Sequence, residues 1–361
     1  MSISFDKQKT KLQKTKLHKT AAVFYSAGIG DALLLTPLVK QLKKDGYRVT
    51  GIFTSPYHVH ELFEGTSLLD EKITILSKPK LVWFITRYGL NKFDRIYVNY
   101  FAANRSNILA ASKTSKKVIT NREVKFKLNA IPNLRYITPH ENRSDAEHNL
   151  NLYTKGSIVE SDFFINFKDT ALEKFNLPAK YIVLQAGAGN NQTPYKMWSL
   201  GNWERLIEKI HKNFPNLSVV LLGDKNELAI GEELHNTSIV NLTGKTSLPE
   251  VISIIKNSVC LIGSDSGLMH IAASASKPSF TIWGASNEKL YGYEQFNSLK
   301  HQIIFNETIS CRPCSSWISA NITRVNNPMK CPDFICLEGL KPDAVFEKLS
   351  VFLSQQLNNA Q

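Results

Sequence analysis

Short apolar runs alternate with amphipathic stretches along most of the chain. Strand-like runs fall at 21–25, 48–53, 72–76, 95–99 and 117–120, and a continuous helical pattern covers 31–44. The series restarts at 181–185 and continues at 217–222, 238–242, 259–263 and 279–283. Helical patterns at 203–213, 227–235, 248–256 and 268–275 separate those runs. Strands that alternate with helices predict βαβ units and parallel sheets. Two series, each about 150 residues long, predict two doubly wound α/β domains. Asn176-Leu177-Pro178 punctuates the chain just before the second series, which places the break at 165–180. Near the end, Val345, Phe346, Leu349, Phe352 and Leu353 recur at 3–4 spacing over 342–357. That pattern predicts an amphipathic helix packed on a domain surface. The division is then a basic arm at 1–20, domains at 21–170 and 180–340, and a terminal helix at 341–361. No repeat with a period of 20–50 residues is evident.

Composition narrows the class. With 43% hydrophobic and 21% charged residues, the chain can bury real cores and is not a disordered protein. No run reaches the ~20 apolar residues of a membrane span. The net charge of +13 is uneven. Residues 1–165 hold 26 Lys+Arg and 14 Asp+Glu, whereas 166–361 hold 18 and 17. A basic half beside a neutral one points to an anionic partner (membrane headgroups, a phosphorylated substrate or nucleic acid), or to solubility alone. Lys7, Lys9, Lys11, Lys14, Lys16 and Lys19 precede an apolar stretch, as in a signal peptide. Gly28, Gly30 and Asp31 interrupt that stretch and no A-x-A cleavage site follows, so 1–19 reads as an exposed arm. It either touches anionic lipid or is simply solvated.

Three glycine-rich turns carry the candidate chemistry. Ser26-Ala27-Gly28-Ile29-Gly30-Asp31 joins the first strand to a helix. Leu33 stands where a dinucleotide fingerprint needs its third glycine, and no G-K-[ST] follows, so it is neither a Rossmann fingerprint nor a P-loop. Asp31 would repel a phosphate; it suits a helix cap or a general base at a sheet's carboxyl edge. Gln185-Ala186-Gly187-Ala188-Gly189 follows the first strand of the second series, with Lys196 a few residues on. Lys196 is either a surface lysine or an anion ligand. Gly263-Ser264-Asp265-Ser266-Gly267-Leu268-Met269-His270 opens another helix. Ser266 is a natural cap there, and the helix N-terminus suits a phosphate. His270, one turn in, faces that ligand or is structural.

Five cysteines complete the inventory. Cys260 sits alone in an apolar run and reads as core. Cys311-x2-Cys314-x16-Cys331-x4-Cys336 groups the others. In a cytosolic chain that spacing favours a structural zinc or iron site over reduced thiols or disulfides.

Together these pieces resemble glycosyltransferase family 9, the bacterial heptosyltransferases of lipopolysaccharide core assembly. The matching elements are Gly28-Ile29-Gly30-Asp31 with Leu35-Thr36-Pro37, then Gly187-Ala188-Gly189 with Lys196-x-Trp198. Leu242-Thr243-Gly244-Lys245-Thr246-Ser247-Leu248 follows, and then Asp265-Ser266-Gly267-Leu268-Met269-His270-Ile271-Ala272-Ala273. Lys277-Pro278 and Trp283-Gly284 extend the match, which spans residues 21–284 in order and spacing.

The resemblance implies a GT-B fold, two Rossmann-like domains facing across a cleft, with acceptor on the first and nucleotide-sugar on the second. It implies an inverting transfer that needs no catalytic metal, a donor such as ADP-heptose, and a lipopolysaccharide core-type acceptor. Asp31 matches the family's base and Lys196 its diphosphate lysine. Gly28, Gly30, Gly187 and Gly189 match its ligand loops, and Asp265, Ser266, Gly267, Leu268 and His270 its nucleotide loop. Asp224 or Glu227 is placed to bind the ribose, and Thr243 and Gly244 to border the base. Relatives carry cysteines after the nucleotide loop with a shorter middle spacing. A subgroup that heptosylates autotransporter proteins uses an iron-binding cysteine cluster there. Two rivals therefore stand beside a lipopolysaccharide enzyme: a protein O-heptosyltransferase, and a catalytically silent nucleotide-sugar binder. No nucleic-acid module is present. The implied location is the cytoplasm, at the periphery of the inner membrane, against an anionic glycolipid.

Overall fold

The computed structural model describes residues 19–123, 131–140, 143–189, 193–234, 238–314 and 331–359. The basic arm, up to residue 18, lies outside them. Among the described residues are two six-stranded sheets whose neighbouring strands all pair in parallel. The first holds β1 (Lys19–Tyr25), β2 (Tyr47–Phe53), β3 (Glu71–Thr74), β4 (Arg95–Val98), β5 (Val118–Thr120) and β6 (Leu134–Tyr136). The second holds β7 (Tyr181–Gln185), β8 (Ser218–Leu221), β9 (Val240–Asn241), β10 (Leu261–Ser264), β11 (Ser279–Trp283) and β12 (His301–Phe305). Their orders are β3-β2-β1-β4-β5-β6 and β12-β11-β10-β7-β8-β9. Read from each first strand, the two orders are the same doubly wound one, so each sheet reverses direction once, at β1/β4 and at β7/β10.

The helices are α1 (Ile29–Leu33), α2 (Thr36–Lys44), α3 (Lys78–Tyr88), α4 (Arg105–Thr114), α5 (Asp145–Asn151) and α6 (Leu200–Asn213), followed by α7 (Leu228–Glu233), α8 (Leu248–Asn257), α9 (Gly267–Ser274), α10 (Glu288–Tyr291), α11 (Ile335–Glu338) and α12 (Pro342–Asn359). Central strands such as β1 and β7 are buried on both faces, which is why they read as unbroken apolar runs. The helical pattern at 31–44 is two helices. Pro37 lacks an N–H, so it starts α2 within the first turn and leaves α1 a separate short helix. Strand β6 carries no continuous apolar run, and in β12 a short one, Ile303-Ile304-Phe305, follows two polar residues. Arg135 and Tyr136 are exposed on an edge, and β12 opens on His301, which is buried against Ser279 and Glu160.

A crossing segment ties the halves together. Residues 158–167 cross to the second half, where the Ile165 N–H donates to the Ser274 carbonyl at 2.8 Å. Phe163 is fully buried there, 4.9 Å from the Tyr293 ring and 5.0 Å from Phe296. The terminal helix α12 belongs to the core of the second half: Val345, Leu349, Phe352 and Leu353 share one apolar cluster with Trp203, Leu206 and Ile210 of α6. Trp198 adds a bond from Nε1 to the Leu340 carbonyl at 2.9 Å. No helix among the described residues is long and apolar enough to cross a membrane. Truncating Phe163 to Ala empties a buried aromatic site, and should cost about 3–5 kcal/mol of unfolding free energy by denaturant titration.

Candidate functional site

Both sheet reversals open toward one cleft of about 800 Å³. Ligands of doubly wound sheets bind outside the carboxyl ends of strands at such reversals. The turn after β1 supplies Ala27, Gly28, Ile29, Gly30 and Asp31 to the wall, and the turn after β7 supplies Ala188 and Gly189. Lys196 follows, and the turn after β10 brings Asp265, Ser266, Gly267, Leu268 and His270.

Helices α1 and α9 meet across the cleft. A Cβ on Gly30 would lie 2.5 Å from His270 Cδ2, and one on Gly267 would lie 3.1 Å from Ile29 Cβ. The two turns can approach this closely only because both positions lack side chains. His270 is buried, and its Nδ1 lies 2.9 Å from the Tyr293 hydroxyl. Burial pulls the imidazole down to about 4, so it is neutral near pH 7. Ser266 stands at the N-cap of α9 without capping it. Its hydroxyl donates instead to Gln185 Oε1. The first-turn N–H groups of α9 are therefore left without that cap beside the cleft.

The charges divide by wall. Lys196 Nζ lies 2.7 Å from Asp265 Oδ2. Burial works against the Lys196 ammonium, but the Asp265 carboxylate more than offsets it and the net shift is upward. Asp265 answers in kind: burial pushes it up, Lys196 pulls it further down, and it stays ionised. Asp31, on the opposite wall, accepts the Gly28 N–H at 3.1 Å through Oδ2. It therefore closes its own turn and also lines the cleft. Burial raises this carboxyl to about 6, against the pull of the Gly28 N–H and of Lys196.

The model of glycosyltransferase family 9 (heptosyltransferase) matches residues 130–321. The chain belongs to this family. Lipooligosaccharide heptosyltransferase 2 of Haemophilus influenzae is 32% identical over 101 residues, which is 26% of this chain and 29% of that protein. The match thus spans under a third of that relative's length. Among solved structures, E. coli ADP-heptose LPS heptosyltransferase II superposes with a TM-score of 0.68 at 17% identity, covering 94% of this chain and 99% of that one. The iron-containing dodecameric glycosyltransferase TibC of enterotoxigenic E. coli gives 0.58 at 12% identity, covering 95% and 77%. At these identities the two structures show the fold, which is the GT-B fold of heptosyltransferases.

Within this family 9 fold, several expected residues stand behind the cleft. Gly187 is packed against Glu227, whose Oε1 would lie 1.8 Å from an added Cβ. Thr243 is buried, its N–H held by Asn241 Oδ1 at 3.0 Å, and Gly244 turns away through a φ of +69°. Thr246, Leu248 and Val251 take their place on the wall. Asp224 and Glu227 line the cleft, but Glu227 also accepts N–H bonds from Gly189 and Asp224, both at 2.9 Å. Tyr57, His58 and Phe101 complete the first wall; they lie in loops with no periodic signal. Asp145 was equally hidden. Buried at the start of α5 and hydrogen-bonded by Asn149 at 3.2 Å, it is lifted to about 7 by burial and by nearby Asp31.

The four grouped cysteines are free thiols. Cys336 is pushed up to about 11 by burial, then by Cys314, Cys331 and Cys311, so the four feel one another. Their donor chemistry fits zinc or iron. Among the described residues, however, the one set of three ligand atoms within 4.8 Å of each other is His58, His60 and Glu61. The thiols are grouped without being closed around a centre.

The contact between the two turns yields a paired prediction. Gly28 has 3.7 Å of room for a Cβ, and Gly30 does not. Gly28→Ala should keep nucleotide affinity within a few-fold in calorimetry. Gly30→Ala should drive α1 from α9 and weaken it by about 10-fold or more, the scale of a 1–3 kcal/mol overpacking cost.

Proposed function

We propose that this chain is an inverting glycosyltransferase. It moves a sugar, heptose from ADP-heptose, to a hydroxyl of a lipopolysaccharide core-type acceptor. The carrying observation is the opposition of a half-buried carboxylate on one wall to an ion-paired lysine and an uncapped helix N-terminus on the other. As the acceptor oxygen attacks the anomeric carbon, Asp31 takes the hydroxyl proton. The bond from that carbon to the diphosphate oxygen breaks, and its electrons leave with the nucleoside diphosphate. Lys196 and the first N–H groups of α9 meet the charge that develops there. Asp265 keeps Lys196 protonated and in place. Attack from the Asp31 wall, opposite the leaving group, inverts the centre. These residues carry the charge without calling on a catalytic metal. Asp224 or Glu227 contacts the ribose. The similarity to lipooligosaccharide heptosyltransferase 2 of Haemophilus influenzae and the fold shared with E. coli ADP-heptose LPS heptosyltransferase II support the donor and the acceptor class. The positive first half of the chain supports work beside anionic lipid, at the cytoplasmic periphery of the inner membrane.

A protein acceptor is the second reading. It is favoured by the cysteine group together with the fold shared with an iron-containing glycosyltransferase. Cys311, Cys314, Cys331 and Cys336 would hold zinc or iron, which when bound cross-links the loop to α11. The thiols must lose protons to do so.

A thermal-shift panel of nucleoside diphosphates tests the donor class: selective stabilisation by ADP is expected. Asp31→Asn should bind ADP normally and lose about 10²–10⁴-fold in turnover. Lys196→Ala should weaken ADP binding in calorimetry. A base must be ionised, and Asp31 is raised to about 6. Acceptor kcat/KM should therefore fall below that pH and level off above it, with the limb lost in Asp31→Asn. Metal analysis of freshly reduced protein should find zinc or iron, and Cys314→Ser should lose it.

A further inference from the structure

A second concavity opens on the first sheet, away from the cleft, and nothing described above uses it. Its volume is about 190 Å³. That is below the 300–1,000 Å³ typical of drug-sized ligands and suits a small polar group. Arg95, Lys117 and Arg135 line it from β4, the start of β5, and β6. These strands pair in register, Tyr97 with Ile119 and Ile119 with Arg135. Residues two apart share a face, so the three cations converge. Lys155, just beyond α5, closes the side.

No acidic side chain lines this cavity. Elsewhere several partly buried cations have a carboxylate partner, Lys196 with Asp265, Lys300 with Glu160 and Arg312 with Glu288, whereas Lys40 and Lys277 donate to backbone carbonyls. Arg95, Lys117, Arg135 and Lys155 make no ion pair among the described residues. Asp94 is turned to Lys116 at 2.7 Å, and Asp45 is taken by the Tyr153 hydroxyl at 2.5 Å. The Arg95 guanidinium is held instead between the Tyr47 and Tyr153 rings, at 5.9 and 5.6 Å. Asn151 also lines the cavity, and its buried Oδ1 has no hydrogen-bond partner. An amide rotated end for end offers an N–H there.

Four like charges around one small space repel, weakly at exposed Arg135 and Lys155 and more at half-buried Arg95 and Lys117, and an anion between them relieves that repulsion. We infer that this cavity binds a phosphate group, carried either by a free phosphorylated compound or by a phospholipid headgroup. A phosphate monoester brings about −1.5 to −2 charge and several acceptor oxygens, and guanidinium forks match those oxygens in pairs.

The test compares wild type with a Lys117→Ala/Arg135→Ala double variant. Each is titrated with inorganic phosphate, and each is sedimented with phosphatidylglycerol or phosphatidylcholine vesicles. At least a 10-fold loss in the variant on either anionic probe is expected, and Arg135→Lys should lose less than the double variant, because it keeps the charge and gives up only the fork. Loss on phosphate assigns a free compound; loss on phosphatidylglycerol vesicles alone assigns a headgroup. Equal behaviour of wild type and variant on both probes, or no binding by wild type, overturns the site. If the double variant does not fold, Lys155→Ala at an exposed position gives the same comparison.

Discussion

The near contact between α1 and α9 is the constraint on which the cleft depends. Each helix starts at a strand's carboxyl end, where a parallel sheet reverses, and each opens on a glycine that admits the other. Gly30 lies under the His270 ring and Gly267 against Ile29. A side chain at Gly30 would hold the two turns apart, and Asp31 would then face solvent. The charges of the site acquire their character only because this approach excludes water. Asp31 is displaced toward the neutral range by burial, and Lys196 is kept charged by one specific carboxylate. The wall with a partner is fixed in charge, and the wall without one is poised to change it.

That asymmetry explains why the same environment produces opposite behaviour in two aspartates. Asp265 is buried and Asp31 half-buried, so both lose solvation. Asp265 recovers it from an ammonium at 2.7 Å, whereas Asp31 has the Gly28 N–H at 3.1 Å, its own N–H and a more distant cation. Asp265 adds repulsion on Asp31, and Asp31 in turn repels Asp145. A carboxyl that resists ionisation near pH 6 is a better proton acceptor than one that ionises at 4. The capping bond to Gly28 and a role as base are compatible, because the cap orients the side chain whose remaining lone pairs face the cleft.

Strands buried on both faces were legible, since their apolar runs need no tertiary knowledge. Glycine turns after β1, β7 and β10 were legible for the same reason: backbone chemistry is local. Edge strands β6 and β12 were not, because β6 is half-exposed with no apolar run and β12 opens on two polar residues before a run of only three. The split at Pro37 was readable from the imino acid, yet the apolar pattern ran through it. Thr243 and Gly244 matched a motif by position, but a left-handed turn points them away and brings Thr246 forward. Asp145 and Glu227 could not be ranked from sequence, because their importance lies in what a distant segment does to their solvation. Ser266 had the right residue type for a cap, and a glutamine from β7 took its hydroxyl.

The positive charge follows a different logic from the one its position along the chain suggests. The basic half builds the first wall of the cleft, which invites the view that its cations grip the acceptor there. Among the described residues, that wall is Tyr57, His58, Phe101, Leu34 and the turn around Asp31, with no Lys or Arg. An aromatic, nearly uncharged wall suits the flat face of a sugar ring more than a cluster of phosphates. It also protects the chemistry: a lysine beside Asp31 would hold that carboxylate ionised and weaken it as a base. Four cations of this half instead surround the small cavity beyond the far end of α5. Helix α5 runs from Asp145, within electrostatic reach of Asp31, to Asn151 at that cavity. Separation along one helix keeps the cations around the small cavity away from Asp31, so that Lys196 of the opposite wall is the cation acting on it.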